Sequence, residues 1–140
     1  MKIDKQWVQA DSDFIKKKVI EHNLQQLSKE SKTPFENTSF VLRDDEENIV
    51  GGVTATMYWF HMHIDFLWVK EELRHYGYGS TLMNEIKELA IVKGCRFIIL
   101  DTFSFQAPGF YRKLGYEVIG IVEDHPKGHN QYYMKKDLII

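Results

Sequence analysis

Apolar residues recur along this chain in two different periods, and each predicts a different element. Phe14, Ile15, Val19, Ile20, Leu24 and Leu27 fall at helical spacing, with Asp11 or Ser12 placed to cap the helix they form. Ahead of it, residues 2–8 (KIDKQWV) predict a short edge strand, and behind it the polar stretch 29–37, with Pro34, predicts a loop. Thr38–Arg43 and Ile49–Met57 predict two strands joined at the acidic tip Asp44-Asp45-Glu46-Glu47-Asn48. Residues 58–69 alternate along their whole length and predict one long strand. Phe60, Met62, Ile64, Phe66 and Trp68 make its apolar row, expected to pack under helices; Trp59, His61, His63, Asp65, Leu67 and Val69 make a mixed row facing wetter space.

The pattern returns to helical spacing over about 79–93, where Leu82, Ile86, Leu89 and Ala90 form a buried stripe that Gly94 ends. The run RFIILD at 96–101 predicts a strand covered on both sides. Pro108 opens a short helix that stops at Gly115, and residues 116–122 and 131–138 predict two closing strands. The order β-α-β-β-β-α-β-α-β-β predicts an α/β protein with a mixed sheet.

Composition narrows the function classes. A chain of 140 residues, 44% hydrophobic, is expected to be one domain, residues 1–140, with a core of its own. Its formal net charge of −2 lacks the broad basic field of a nucleic-acid binder. Cys95 is the single cysteine, which excludes an internal disulfide framework and a cysteine-rich zinc site. No apolar run is long enough to span a membrane, and the first residues, MKIDKQWVQADSDF, hold no secretory apolar region, so a cytoplasmic location is expected.

Residues 67–83, LWVKEELRHYGYGSTLM, carry the chemistry. A strand ends at Val69, and Arg74-His75-Tyr76-Gly77-Tyr78-Gly79-Ser80 leads into the next helix. The first N–H groups of a helix have no internal partner and sit at the positive end of its dipole. Glycines at 77 and 79 let an anion approach them, and Arg74 adds a forked charged donor, which together describe a diphosphate cradle. Leu82 stands where a dinucleotide fingerprint has its third glycine, and the Lys-Ser/Thr pair of a P-loop is missing.

An R-x-x-G-x-G loop after a strand ending in L-x-V resembles the acetyl-CoA signature of the GCN5-related N-acetyltransferases, the GNAT family. Residues 104–116, SFQAPGFYRKLGY, resemble the second motif of that family, N-x-x-A-x-x-F-Y-x-x-x-G-F, at the right distance downstream. His75, Glu71 and Ser104 depart from the commoner glycine, proline and asparagine. The resemblance covers roughly residues 38–138 and implies a mixed, mostly antiparallel sheet of six to seven strands with helices on both faces. It also implies an N-acetyltransferase that moves an acetyl group from acetyl-CoA to a primary amine by direct attack in a ternary complex. Leu67, Trp68, Val69, Arg74, His75, Tyr76, Gly77, Tyr78, Gly79, Ser80, Ser104 and Tyr111 are the cofactor-binding positions it implies. A bulge near residues 67–69 would splay two strands to admit the pantetheine arm.

Such a reaction needs a base for the amine, a donor for the tetrahedral oxygen and an acid for the thiolate. The resemblance puts Tyr111 at the family's usual tyrosine, and a phenol with a pKa near ~10 stays protonated at neutral pH. Asp65, His63 and His61 share one row and are the candidate bases; some members of the family use a glutamate roughly where His63 falls. His61-x-His63 with Asp65 also has ligand spacing on a strand, but nothing else completes a site, so no metal is expected. His125-Pro126-Lys127-Gly128-His129 resembles a turn of small bacterial members, and the resemblance implies a place for it at the border of the acceptor pocket. The acceptor is expected to be a small-molecule or peptide amine, with no nucleic acid or membrane partner, and a homodimer is possible. Two other readings stand beside this one: a CoA-binding sensor or partner-binding module without turnover, and a binder of another nucleotide.

Overall fold

The computed structural model describes residues 1–138, which form two compact units, Met1–Thr33 and the chain from Pro34 onward. In the first, α1 spans Gln9–Gln26 and a 3₁₀ turn follows at Lys29–Ser31. Residues 2–8 form no strand, contrary to expectation, because the described residues of this unit offer no second strand to complete a ladder. Neither Asp11 nor Ser12 caps the helix. Val8 is the N-cap, and Asp11 lies in the first turn, where its carboxylate suits the helix dipole and accepts from Gln6 Nε2 at 2.7 Å.

The second unit is built on β1 (Glu36–Arg43), β2 (Ile49–Tyr58), β3 (His61–Val69), β4 (Phe97–Phe103), β5 (Glu117–Val122) and β6 (Gln131–Asp137), with helices α2 (Tyr78–Val92) and α3 (Pro108–Lys113). The strands form one mixed sheet in the order β1-β2-β3-β4-β6-β5. Every neighbouring pair is antiparallel except β3 and β4, which are parallel and therefore need the long crossover that α2 supplies. One face of the sheet is buried. Val53, Ala55, Met62, Ile64, Ile98, Leu100 and Met134 meet Leu82, Met83, Ile86 and Ala90 of α2, and Phe110 and Tyr111 of α3 pack against the same cluster.

Two local features overturn the expected long strand at 58–69. Trp59 and Phe60, at φ 50° and 55°, form a two-residue turn that pairs Tyr58 with His61, so β2 and β3 are a hairpin. Such turns are usually Asn-Gly or Asp-Gly, and two bulky aromatics give no sequence signal of one. A β-bulge follows. Thr54 pairs with Phe66 but Ala55 with Ile64, which leaves Asp65 as the extra residue. An extra residue flips the side-chain alternation beyond it. Met62 and Ile64 are buried as expected, whereas Phe66 and Trp68 are 78% and 49% exposed, and Leu67 and Val69 pack on the core in their place. Phe60 also leaves the apolar row, because it lies in the turn.

Candidate active site

The bulge shapes the centre of the sheet. Parallel pairing of β3 with β4 runs only from His61↔Phe97 to His63↔Ile99, and beyond it the two strands separate. The backbone of Leu67, Trp68 and Val69 therefore borders a gap between them while pairing on its other side with Gly51, Gly52 and Val53. The family resemblance implies a bulge near residues 67–69; the bulge observed sits at Asp65, just upstream.

At the end of β3 the chain makes a 3₁₀ turn, Glu71–Leu73, and Arg74 folds back to donate from Nε to the Val69 carbonyl at 3.0 Å. His75 and Gly77 both take positive φ, 70° and 86°. Gly77 is the N-cap of α2, no side chain caps that end, and the first helical bond runs from Thr81 N–H to Gly77 O at 3.0 Å. The helix thus begins at Tyr78, one residue earlier than its pattern suggests, with the amides of its first turn open to a ligand. The two glycines differ in what they do. A Cβ on Gly77 would meet nothing within 4 Å, so its left-handed backbone is what favours glycine; a Cβ on Gly79 would stand 3.3 Å from the Phe110 ring, so Gly79 lets α3 close on the start of α2. Beside these first turns lies a cleft of about 450 Å³ lined by Ser80, Thr81, Asn84, Lys87, Tyr116 and Lys136.

Tyr111 is carried by α3, which Phe110 anchors at Gly79. Its ring meets Phe110 and Tyr116 edge-on at 5.2 and 6.0 Å, and its hydroxyl has no hydrogen-bond partner among the described residues. Burial pushes the phenols of Tyr111 and Tyr116 above their usual range, in Tyr116 with help from Tyr111. Both are neutral in the folded chain at a pH where the unfolded chain ionises them. The stability they contribute is therefore complete below the unfolded pKa of about 10 and is lost as pH rises above it. Chemical denaturation should give a stability that falls from pH 10 to 11, and Tyr116→Phe should flatten that fall.

Ser104 is bonded to the loop before β6. Its hydroxyl accepts from Asn130 N–H at 3.0 Å and its own N–H donates to the Asn130 carbonyl at 2.9 Å, tying the end of β4 to the loop before β6. In that loop Asp124 Oδ1 accepts from Gly128 N–H, and the rings of His125 and His129 pack against Phe103 and Phe105.

On the sheet face away from the core, His63 and Asp65 come together. His63 Nδ1 lies 2.8 Å from Asp65 Oδ1, and Asp65 Oδ2 accepts from Thr56 Oγ1 at 2.7 Å. His61 is not part of this group: its Nδ1 is bonded to the Tyr58 carbonyl, and its ring packs against Tyr58 and Phe97. Among the described residues no group of His, Cys, Asp and Glu could hold a metal ion.

The model of the acetyltransferase (GNAT) family matches residues 6–116. The chain belongs to the GNAT acetyltransferase family. Over 98% of both chains it is 52% identical to an acetyltransferase of Bacillus cereus ATCC 14579 whose crystal structure superposes with a TM-score of 0.94. A blasticidin-S acetyltransferase of Streptomyces morookaense is 34% identical over 91 residues, 64% of this chain and 67% of that protein. A coenzyme A complex of an aminoglycoside 6'-N-acetyltransferase, at 19% identity and a TM-score of 0.65 over 75% of this chain and 74% of that one, shares the fold.

In this GNAT acetyltransferase the sequence motifs mark the loop at 74–80 and Tyr111, but not Thr56. A threonine in a strand carries no chemical signature of its own. Its place opposite His63 follows from the two-residue turn at Trp59-Phe60, which alternation alone does not reveal. No helix among the described residues is long and apolar enough to cross a membrane.

Proposed function

We propose that this chain transfers an acetyl group from acetyl-CoA to a primary amine by direct attack. The observation that carries the reading is the meeting of two features at one end of β3: a gap between β3 and β4, and an uncapped α2 amino terminus preceded by two left-handed residues. The first has the form of a slot for an extended pantetheine chain. The second offers free N–H groups and a positive dipole end to a pyrophosphate, with Arg74 alongside. Lys87 and Lys136 add positive charge in the neighbouring cleft. An aminoglycoside 6'-N-acetyltransferase of the same fold forms a complex with coenzyme A, which is in keeping with a coenzyme A thioester as donor.

The steps assigned to this chain are few. Backbone N–H groups along residues 67–69 bind the thioester carbonyl and the charge that develops on it. A base on β3, His63 or Asp65, takes a proton from the attacking nitrogen as the N–C bond forms. Tyr111 gives its proton to the sulfur as the C–S bond breaks, and solvent restores both groups. The name of the blasticidin-S acetyltransferase supports a small-molecule amine as acceptor. A cytoplasmic location and a homodimer fit this reading.

Calorimetric titration with acetyl-CoA, ATP and NAD tests the donor site. Binding of acetyl-CoA alone, weakened by Arg74→Ala, is expected. Preference for ATP or NAD would sink the proposal in favour of another nucleotide.

A further inference from the structure

The two candidate bases on β3 are bonded to each other, and that bond divides their roles. We infer that His63 is the catalytic base, through Nε2, and that Asp65 and Thr56 are positioning residues which hold its ring in the reactive tautomer; this rests on the acetyl-transfer reading above.

Asp65 Oδ1 lies 2.8 Å from His63 Nδ1, and an ionised carboxylate can only accept. In the neutral imidazole the proton must therefore sit on Nδ1, and the lone pair on Nε2. Among the described residues Nε2 has no partner, and with the side chain 37% exposed it is open to an incoming ligand. Asp65 is the poorer base, because both its oxygens are taken, Oδ1 by the imidazole and Oδ2 by the Thr56 hydroxyl at 2.7 Å. Thr56 in turn stands 3.2 Å from Asn37 Oδ1, so β1, β2 and β3 each contribute to one line of polar side chains that ends at His63.

The bulge explains why the line works. It makes Asp65 the extra residue of β3, free of cross-strand pairing, so that its carboxylate turns back to its i−2 neighbour. The same irregularity lies where β3 parts from β4, two residues beyond His63, the last residue of β3 that pairs with β4. During transfer the nitrogen gains its bond to the acetyl carbon and gives one proton to His63 Nε2. The resulting imidazolium lies against the Asp65 carboxylate, which stabilises its charge. Other titratable groups share this sheet face, and among them Tyr133 stands opposite Asp101 and Glu117 opposite Lys135. His61 is bonded to the Tyr58 carbonyl, Asp101 accepts from Gln131, and Lys135 pairs with Asp137 at 2.9 Å above the Phe97 ring.

Two measurements test the inference. Long-range ¹H–¹⁵N NMR of histidine-labelled protein reads the tautomer without any substrate. The neutral ring of His63 is expected as the Nδ1–H form, and Asp65→Asn should populate the Nε2–H form; an Nε2–H ring in the unaltered chain would overturn the assignment. The rate of thiol release is then followed against pH with acetyl-CoA and the fastest amine among blasticidin S, spermidine and lysine. His63→Gln should lower kcat/KM about 10²-fold and remove the acidic limb of the profile. Asp65→Asn should lower kcat/KM together with the change of tautomer. Thr56→Val should cost roughly tenfold or less, with Thr56→Ser restoring the rate. Acetyl-CoA affinity should be unchanged in all of these variants. Variants that keep both rate and profile would refute the dyad while leaving acetyl transfer intact. An unaltered chain that transfers to none of the amines would instead remove the acetyl-transfer reading, and the base with it.

Discussion

Tyr111→Phe is expected to lower kcat for acetyl transfer on the order of 10²–10³-fold while acetyl-CoA binds as before. The departing thiolate, with a free-thiol pKa of about 8.5, leaves faster when a proton reaches sulfur as the C–S bond breaks. A phenol held protonated by burial can supply that proton at neutral pH, and burial pushes Tyr111 in this direction. The hydroxyl has no hydrogen-bond partner among the described residues, and the ring does its packing against Phe110 and Tyr116 whether or not the oxygen is present. Removing the oxygen should therefore leave the fold alone, and a loss of rate can be assigned to chemistry. Steady-state thiol release beside a calorimetric titration makes the check. Equal kcat in the two proteins would take Tyr111 out of the mechanism.

Gly77→Asp should abolish most acetyl-CoA binding, on the order of 10²-fold, with little harm to the fold. Gly77 has φ 86° and ψ 4°, a left-handed conformation that asparagine and aspartate adopt more readily than other residues, and a Cβ there meets nothing within 4 Å. The cost in stability is at most about 1–2 kcal/mol, and a carboxylate at the positive end of α2 offsets part of it. The same carboxylate stands where a pyrophosphate would approach. At an effective dielectric near 20, like charges about 4 Å apart repel by roughly 4 kcal/mol, enough for the loss. Gly77→Asn keeps the shape without the charge and should retain most of the affinity. If the two variants bind acetyl-CoA equally, the α2 amino terminus is not the anion site and the glycine serves only the turn.

How much of this was legible in the sequence depended on whether a feature leaves a chemical mark. The loop at 74–80 is legible because Arg74 and two glycines at a strand-to-helix junction are rare together, and Tyr111 is legible through its motif. β1 to β3 follow from alternation, except where alternation misleads, and β4 from its continuous apolar run, although only alternate residues of it are fully buried. Phe66 and Trp68 continue the apolar row of Met62 and Ile64 in the sequence, but the bulge at Asp65 turns them to the opposite face. A bulge adds a residue without changing the pattern on either side, so the sequence reads as an unbroken strand. The turn at Trp59-Phe60 is hidden for a related reason: its positive φ angles are imposed by the pairing of β2 with β3, not invited by glycine or asparagine. Residues 2–8 failed the other way, since strand-like composition forms no strand without a partner edge. The Thr56–Asp65–His63 line depends on both hidden features and was legible only as its separate members.

Following acetyl-CoA and an amine to product tests the central claim most directly. The chain is incubated with acetyl-CoA and the amine panel, free thiol is recorded, and each amine is weighed by mass spectrometry. The account predicts thiol release that depends on the amine and a product heavier by one acetyl group, with neither seen for Tyr111→Phe beyond a residual rate. Tight binding of acetyl-CoA with no amine-dependent thiol release and no acetylated product would contradict it, and would identify the chain as a coenzyme A sensor on the same fold.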